Sequence, residues 1–307
     1  MADNSILRLI DALWTEQSDH WQMMQKGYKG LSTTISRDIS YNGIEFRAQH
    51  NPARIVSSGA KVDKTNIAKR PCFLCPHSLG EEQKGVLLLG EYLFLINPFP
   101  ILNKHFTIPV LQHVPQEFSR SRLLDMATIA EMLSGCYDVY FNGASAGASA
   151  PDHFHFQGGP QGILPLCESK CIETIWSHGN ARISIVEKAP RKVLKIKAKD
   201  KEALVEAWTK TSKEIANQQL MNLVMRHKDG EWSLWVILRA KHRPECYHAS
   251  GDDQMLVSPG VIDMCGIAVL SRAVDYERMT GNVWCELMDE VSMRDADFCD
   301  VVEALKR

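Results

Sequence analysis

The sequence contains no long uncharged apolar run, and no stretch approaches the roughly 20 residues a bilayer-crossing helix needs, so no membrane span is expected. From Met1 to Trp14 it lacks the basic start and apolar core of a secretory signal. Neither sign of charge is in excess. The 35 basic and 37 acidic side chains leave a formal charge of -2, which argues against a broad nucleic-acid surface but not against a phosphate pocket built from a few donors. P-loop and dinucleotide glycine fingerprints are missing. No low-complexity linker divides the chain, so a boundary near residue 170, giving units 1–170 and 171–307, is a soft one. The nine cysteines are odd in number and lie mostly alone inside apolar segments. Without an export signal they read as reduced thiols of a cytoplasmic protein.

What the sequence does have is ordinary globular composition, 45% hydrophobic over 307 residues, enough for a substantial core. Ile6, Leu9, Ile10, Leu13 and Trp14 recur at helical spacing between Ser5 and Met24, and Gly27 and Gly30 are expected to end that helix. Short β-like stretches follow at Ile44–Arg47, Arg54–Ser57, Val86–Leu89, Tyr92–Ile96 and His105–Val110. An amphipathic helix is expected over Ser119–Cys136, then a strand over Tyr137–Phe141. Past Gly158 the pattern repeats in outline. Strands are read at Arg182–Glu187, Val193–Lys197, Leu220–Met225 and Trp232–Leu238, with a helix over Lys199–Asn217. Pro259–Met279 and Val283–Leu305 read as helical. Together these predict an α+β fold, an antiparallel sheet with helices packed against it.

The chemistry concentrates in residues 142–158. Strand alternation would put His153, His155 and Gln157 on one face and send Phe154 and Phe156 into the core. Gly143 and Gly147, among small residues just before, would let backbone N–H groups approach an anion. A neutral imidazole can attack phosphorus directly, provided its other nitrogen is fixed and donors meet the phosphoryl oxygens. Gln157, Ser149 and the loop amides are candidate donors. A phosphate leaving group is already a stable anion, so no strong general acid is required. Taken alone, a His-x-His pair on a strand could equally be a metal site or two satisfied, half-buried histidines. Cys72 and Cys75 have the two-residue gap that brings two thiolates to one zinc ion, although such a pair can also be redox-active or plain packing, and His77 is a competing ligand. Cys167 and Cys171 suggest packing only. Arg239 to Arg243 end an apolar strand with cationic residues that would either reach a leaving-group phosphate or sit solvated. The lysine-rich Lys188–Lys201 reads as a strand with a wet face.

Asn142 to Gly158 resembles the active-site signature of the histidine-triad superfamily in its His-x-His-x-Gln branch, which holds uridylyltransferases, diadenosine tetraphosphate phosphorylases and GDP-hexose phosphorylases. The resemblance implies two related half-domains, the first alone keeping the motif. It implies a nucleophile at His155, a phosphoryl-holding carboxamide at Gln157, and transfer rather than hydrolysis. The segment from Ile96 to Gln116 resembles the nucleoside-pocket strand–turn–strand, which sets Asn97 and Phe99 beside ribose and base, with Asn142, Gly147 and Ser149 on the substrate side. Asn51 to Ile55 resembles the early strand whose arginine, here Arg54, approaches phosphates. Uridylyltransferase-like members further imply a structural zinc held by Cys72, Cys75, His113 and His153, and no organic cofactor. Asp152 and the bulky Phe156 depart from the uridylyltransferase pattern toward the GDP-hexose phosphorylases. The expected substrate is a nucleoside-diphosphate sugar or dinucleoside polyphosphate with phosphate as acceptor, the alternatives being uridylyl exchange, hydrolysis, or nucleotide binding without catalysis. Uridylyltransferase relatives form dimers, so a homodimer fits the resemblance.

Overall fold

The computed structural model describes residues 4–55, 59, 64–67, 70–187 and 189–307. Thirteen strands form two sheets among these residues. The smaller sheet joins β1 (Ile35–Tyr41), β2 (Ile44–His50) and β13 (Ile267–Leu270) in that order. The larger sheet draws on both halves of the chain. The first half supplies β3 (Gly85–Leu88), β4 (Tyr92–Ile96), β5 (Phe106–Pro109), β6 (Tyr137–Asn142) and β7 (His155–Pro160). The second supplies β8 (Glu173–His178), β9 (Ala181–Glu187), β10 (Lys192–Ala198), β11 (Met221–Lys228) and β12 (Glu231–Leu238). Their spatial order, β3-β4-β5-β7-β6-β11-β12-β10-β9-β8, is a mirrored series about the central β6–β11 pair.

Six longer helices accompany the sheets: α1 (Asn4–His20), α2 (Gln22–Ser32), α3 (Arg120–Met132), α4 (Lys201–Lys213), α5 (Gly281–Val291) and α6 (Asp295–Lys306). The hydroxyl of Ser119 and the carboxylate of Asp200 cap α3 and α4 by accepting the N–H of Arg122 and Ala203. Leu123, Met126, Ala127 and Ala130 give α3 a buried stripe at helical spacing. It joins α1, α4 and α6 over one face of the large sheet, in a core that includes Phe154 and Phe156. The small sheet and α5 cover part of the other face, where Phe46 of β2 stacks on Trp284 of α5 at 4.5 Å between ring centroids. Because alternate residues of β7 face opposite ways, His155 and Gln157 lie on this second face.

The α+β class and the dominant antiparallel sheet match expectation, and the departures have physical reasons. Gly27 and Gly30 do not end the first helical segment; Trp21 breaks it, and α2 runs through both glycines. Gly27 lies so close to the Asn97–Pro100 turn that a Cβ there would stand 1.9 Å from the Pro98 carbonyl oxygen. The stretch read as helical from Pro259 contains β13, which follows Gly266 at φ +100° and pairs with β2 in parallel. A short Ile-Ala-Val-Leu run has no periodicity to separate strand from helix. Of the stretch expected as a strand from Arg54, the turn Pro52–Arg54 is a single 3-10 turn, whereas residues 56–57 lie outside the described residues. The edge strands β1 and β8, poor in alternating apolar residues, were not anticipated.

Candidate active site

β5, β7 and β6 lie side by side, Thr107 facing Gln157 on one flank and Tyr140 facing Gln157 on the other. Pairing between β6 and β7 ends at Tyr140, and the two strands part where His155 begins β7. Gln116 fills the fork. Its Nε2 donates to the carbonyls of Asn142 (2.9 Å) and His155 (3.0 Å), and its Oε1 accepts the His155 N–H at 2.8 Å. One buried carboxamide thereby replaces the ladder where two strands diverge.

His155 is buried, and its Nδ1 lies 2.8 Å from the His153 carbonyl oxygen. A carbonyl can only accept, so Nδ1 carries the proton and Nε2 presents its lone pair. Burial holds the imidazole down to about 4, with the His153 carbonyl opposing, so the ring is neutral at pH 7. Such a ring is a nucleophile in its reactive form.

His153 does not continue the catalytic face as strand alternation had suggested, because β7 begins only at His155. Its ring turns toward two thiols. Cys72 Sγ is 3.2 Å and Cys75 Sγ 3.5 Å from His153 Nδ1, and Cys75 Sγ is 3.3 Å from His113 Nδ1. The four ligand atoms lie within 4.8 Å of one another, a cluster that could hold a metal ion. His153 Nε2 is 2.8 Å from the Val110 carbonyl, the outer hydrogen bond that orients a metal-binding imidazole. His77, the competing ligand, is outside the cluster.

The remaining candidates surround the end of β7 in different ways. Asn97 accepts the Phe99 N–H at 2.9 Å and donates to Thr107, shaping a turn that leaves Phe99 half exposed. Arg54 donates to the Phe99 carbonyl at 2.8 Å; burial lowers its guanidinium to about 10, against the pull of Asp263. Asn142 Oδ1 is taken by Asn222 and by the Val261 N–H, both at 2.7 Å. Gly147, at φ +99°, packs on the Pro259–Gly260 backbone, and a Cβ on Gly143 would stand 2.4 Å from the Gln219 carbonyl oxygen. These glycines therefore fit the loop against the second half of the chain, a requirement apart from the anion approach expected of them. Ser149 is exposed, with its carbonyl accepting from Arg70 at 3.1 Å.

Sequence reasoning missed several neighbours. His105 is buried behind Gln157; its Nδ1 accepts the Ile101 N–H at 3.3 Å, which places the proton on Nε2. That Nε2 faces the Gln157 carboxamide with no partner at hydrogen-bonding distance among the described residues. Burial, with Arg54 nearby, holds His105 down to about 3, so it too is neutral. Arg239 does not reach for a phosphate. All its donors are satisfied, by Asn222 and by the carbonyls of Val291, Pro259, Lys241 and His242. Burial lowers it to about 9 and raises Asp263, whose carboxylate accepts from Gly260 and Val269, to about 6. The charge of Asp263 thus acts on both Arg54 and Arg239, and two guanidiniums against one carboxylate leave a local positive surplus. Gln116 offers a sequence signal only through its place in the segment from Ile96; a residue that bonds to peptide groups has no motif of its own.

The structure of yeast Ap4A phosphorylase Apa2 in complex with Ap4A superposes with a TM-score of 0.63 at 16% identity, covering 92% of this chain and 97% of that one. The chain shares the fold of that yeast protein. Residues 167–307 match the family model described as GDPGP1-like, C-terminal domain, and residues 13–160 match a domain of unknown function, DUF4922. A second structure of Apa2 gives a TM-score of 0.62 at 14% identity, over 89% of this chain and 97% of that one. An ADP-glucose phosphorylase from Arabidopsis thaliana with bound ADP-glucose aligns more loosely, with a TM-score of 0.38 at 14% identity over 85% of this chain and all of that one. No curated protein matches the sequence. No helix among the described residues is long and apolar enough to cross a membrane.

Proposed function

We propose that this protein is a nucleotidyltransferase of the phosphorylase type, working through a covalent nucleotide on His155. The observation that carries the reading is the 2.8 Å contact of His155 Nδ1 with the His153 carbonyl, which leaves Nε2 of this buried side chain unprotonated. Nε2 attacks the phosphorus next to the nucleoside. An N–P bond forms, the P–O bond to the leaving group breaks, and its electron pair stays on a phosphate oxygen that needs no proton. A phosphate oxygen then attacks the same phosphorus, the P–N bond breaks, and the neutral imidazole returns with a nucleoside diphosphate released. Gln157 donates from its amide N–H to a phosphoryl oxygen, and Arg54 supplies positive potential. Asn97 and Phe99 frame the nucleoside, Asn142 and Gly147 hold the loop that faces it, and Ser149 lies at the rim.

The substrate class this supports is a nucleoside-diphosphate sugar or a dinucleoside polyphosphate, and the Ap4A in the Apa2 complex is of the second kind. The mirrored strand order supports reading residues 1–170 and 171–307 as related half-domains, of which the first alone keeps the histidines.

Zinc is the metal that suits Cys72, Cys75, His113 and His153. A tetrahedron with bonds of about 2.0–2.3 Å has ligand–ligand edges of roughly 3.3–3.8 Å; the three Sγ–Nδ1 separations above run from 3.2 to 3.5 Å, and all four ligand atoms lie within 4.8 Å of one another. With four protein ligands such a site is closed, so its role is to fix the turn before β7. His153 belongs to that cluster through its ring and serves His155 through its carbonyl.

The test is intact mass after incubation without phosphate with separate NDP-sugars and dinucleoside polyphosphates. An added nucleoside monophosphate, absent from His155→Ala and discharged by phosphate, is expected. Turnover retained by His155→Ala would overturn the assignment.

A further inference from the structure

The half of the large sheet away from His155 carries a second polar concavity on the same face. Reflection of the strand order about β6–β11 sets β12 opposite β7 and β10 opposite β5. Leu194, Ile196, Leu234 and Val236 point into the helix-covered core, so Lys195, Lys197, Ser233 and Trp235 face the side on which His155 and Gln157 lie. There they line a groove of about 370 Å³ together with Lys199, Arg226 and Lys228, opposed only by Asp229 and Glu231.

Most of the acidic groups within reach are already committed. Glu231 is paired with Lys197 and with Arg182. Arg226 forks onto buried Asp138 with two 2.8 Å bonds and reaches Glu168 at 2.9 Å. Lys195 lies 4.1 Å over the Trp235 ring, and no salt bridge to a carboxylate is formed by Lys195, Lys199 or Lys228 among the described residues. Burial lowers the Lys195 ammonium below its ordinary value, and Lys197 and Arg226 press it the same way, although the thiols Cys171 and Cys167 oppose them. Against the single further carboxylate of Asp229, Lys195, Lys199 and Lys228 leave a positive excess in the groove that a bound anion would offset. Alternate residues of a strand stand about 6.5–7 Å apart, so Lys195 and Lys199 offer ammonium groups at the two ends of a short row. A single phosphate engages one end, whereas a chain of phosphates engages the row.

We propose that this groove is a second anion site, taking the phosphate chain of a nucleotide or of an inorganic polyphosphate. It sits in the other half of the sheet from His155 and is independent of the chemistry proposed there.

The experiment is hydrogen exchange of the full chain with and without inorganic tripolyphosphate, ATP or AMP, alongside calorimetric titration of wild type and Lys195→Met/Lys199→Met/Lys228→Met. Methionine keeps the apolar stem over Trp235. Protection of 192–199 and 226–233 by tripolyphosphate or ATP is expected, together with about a tenfold or greater loss of tripolyphosphate affinity in the triple variant, a few charged contacts being removed. Protection by tripolyphosphate identifies the phosphate chain as the group read; protection by ATP alone shows that the nucleoside is needed too. Protection confined to 143–157, or equal affinity in the variant, overturns the site. Should the variant fail to fold, the exchange map of the wild type decides alone.

Discussion

At the level of single residues, the proposed catalytic pair can be picked out in the sequence and its supports cannot. His155 and Gln157 stand out because an imidazole and a carboxamide two residues apart on a strand form a pattern in the sequence itself. His153 carries two duties, a ring for the cysteine cluster and a carbonyl for His155, and no spacing argument separates them. Gln116 is the clearest case of a residue with a large effect and no motif. Replacing it by leucine would strip partners from two buried carbonyls and one N–H. The expected cost is roughly 3–9 kcal/mol of stability, three buried groups being orphaned at about 1–3 each. The rate of nucleotide transfer to His155 should fall while nucleotide affinity holds. Urea midpoints and single-turnover mass measurements check this, and an unchanged transfer rate would reduce Gln116 to a packing residue.

At the level of elements, what the sequence could not reveal is which pieces lean on the site from outside. α2 presses Gly27 against Pro98, in the turn that carries Asn97 and Phe99, so the helix sets the position of the proposed nucleoside pocket. Gly27→Ala puts a Cβ 1.9 Å from a backbone oxygen, and backbone cannot step aside as a flexible side chain can. The helix or the turn must shift. We expect a raised KM for the nucleotide with a smaller change in kcat, read from steady-state kinetics; an unaltered KM would show that α2 gives way instead. The turn before β7 has a different brace. If zinc ties Cys72, Cys75, His113 and His153 together, its removal frees the carbonyl that fixes His155. Dialysis against a chelator should then lower the melting temperature and the transfer rate together, and added zinc should restore both. Cys72→Ser should mimic chelation without responding to zinc. Full activity in metal-free protein, verified by elemental analysis, would leave the cluster as ordinary polar packing.

At the level of the whole molecule, the two halves cooperate in one interior, and that interior keeps its histidines neutral. The soft boundary near residue 170 hid how far the first half's loop depends on the second, through Asn142, Asn222 and the Gly147–Gly260 contact. Burial makes the arrangement sensitive to acid. His105 is held at about 3 in the folded chain against an ordinary value of 6.5, with desolvation as the main cause and Arg54 adding to it. A depressed folded value means that its contribution is complete above pH 6.5 and is lost as pH falls toward 3, because the unfolded chain takes up a proton that the folded chain refuses. The rate of loss approaches about 1.4 kcal/mol per pH unit for one such group. His242, pushed to about 3 by burial beside Arg243 and Arg239, acts in the same direction. Asp263 acts in the opposite one. Raised by burial to about 6, it favours the folded state most when protonated, and so offsets part of the histidine loss between roughly pH 6 and 4. The contributions separate by difference. Between pH 7 and 5 the wild type should lose stability relative to His105→Gln, which has nothing to protonate there, whereas Asp263→Asn should lose more than the wild type over the same interval. Urea midpoints at the two pH values suffice, and parallel curves for wild type and His105→Gln would mean that His105 takes up its proton within the folded chain, in contact with water that the packed interior excludes.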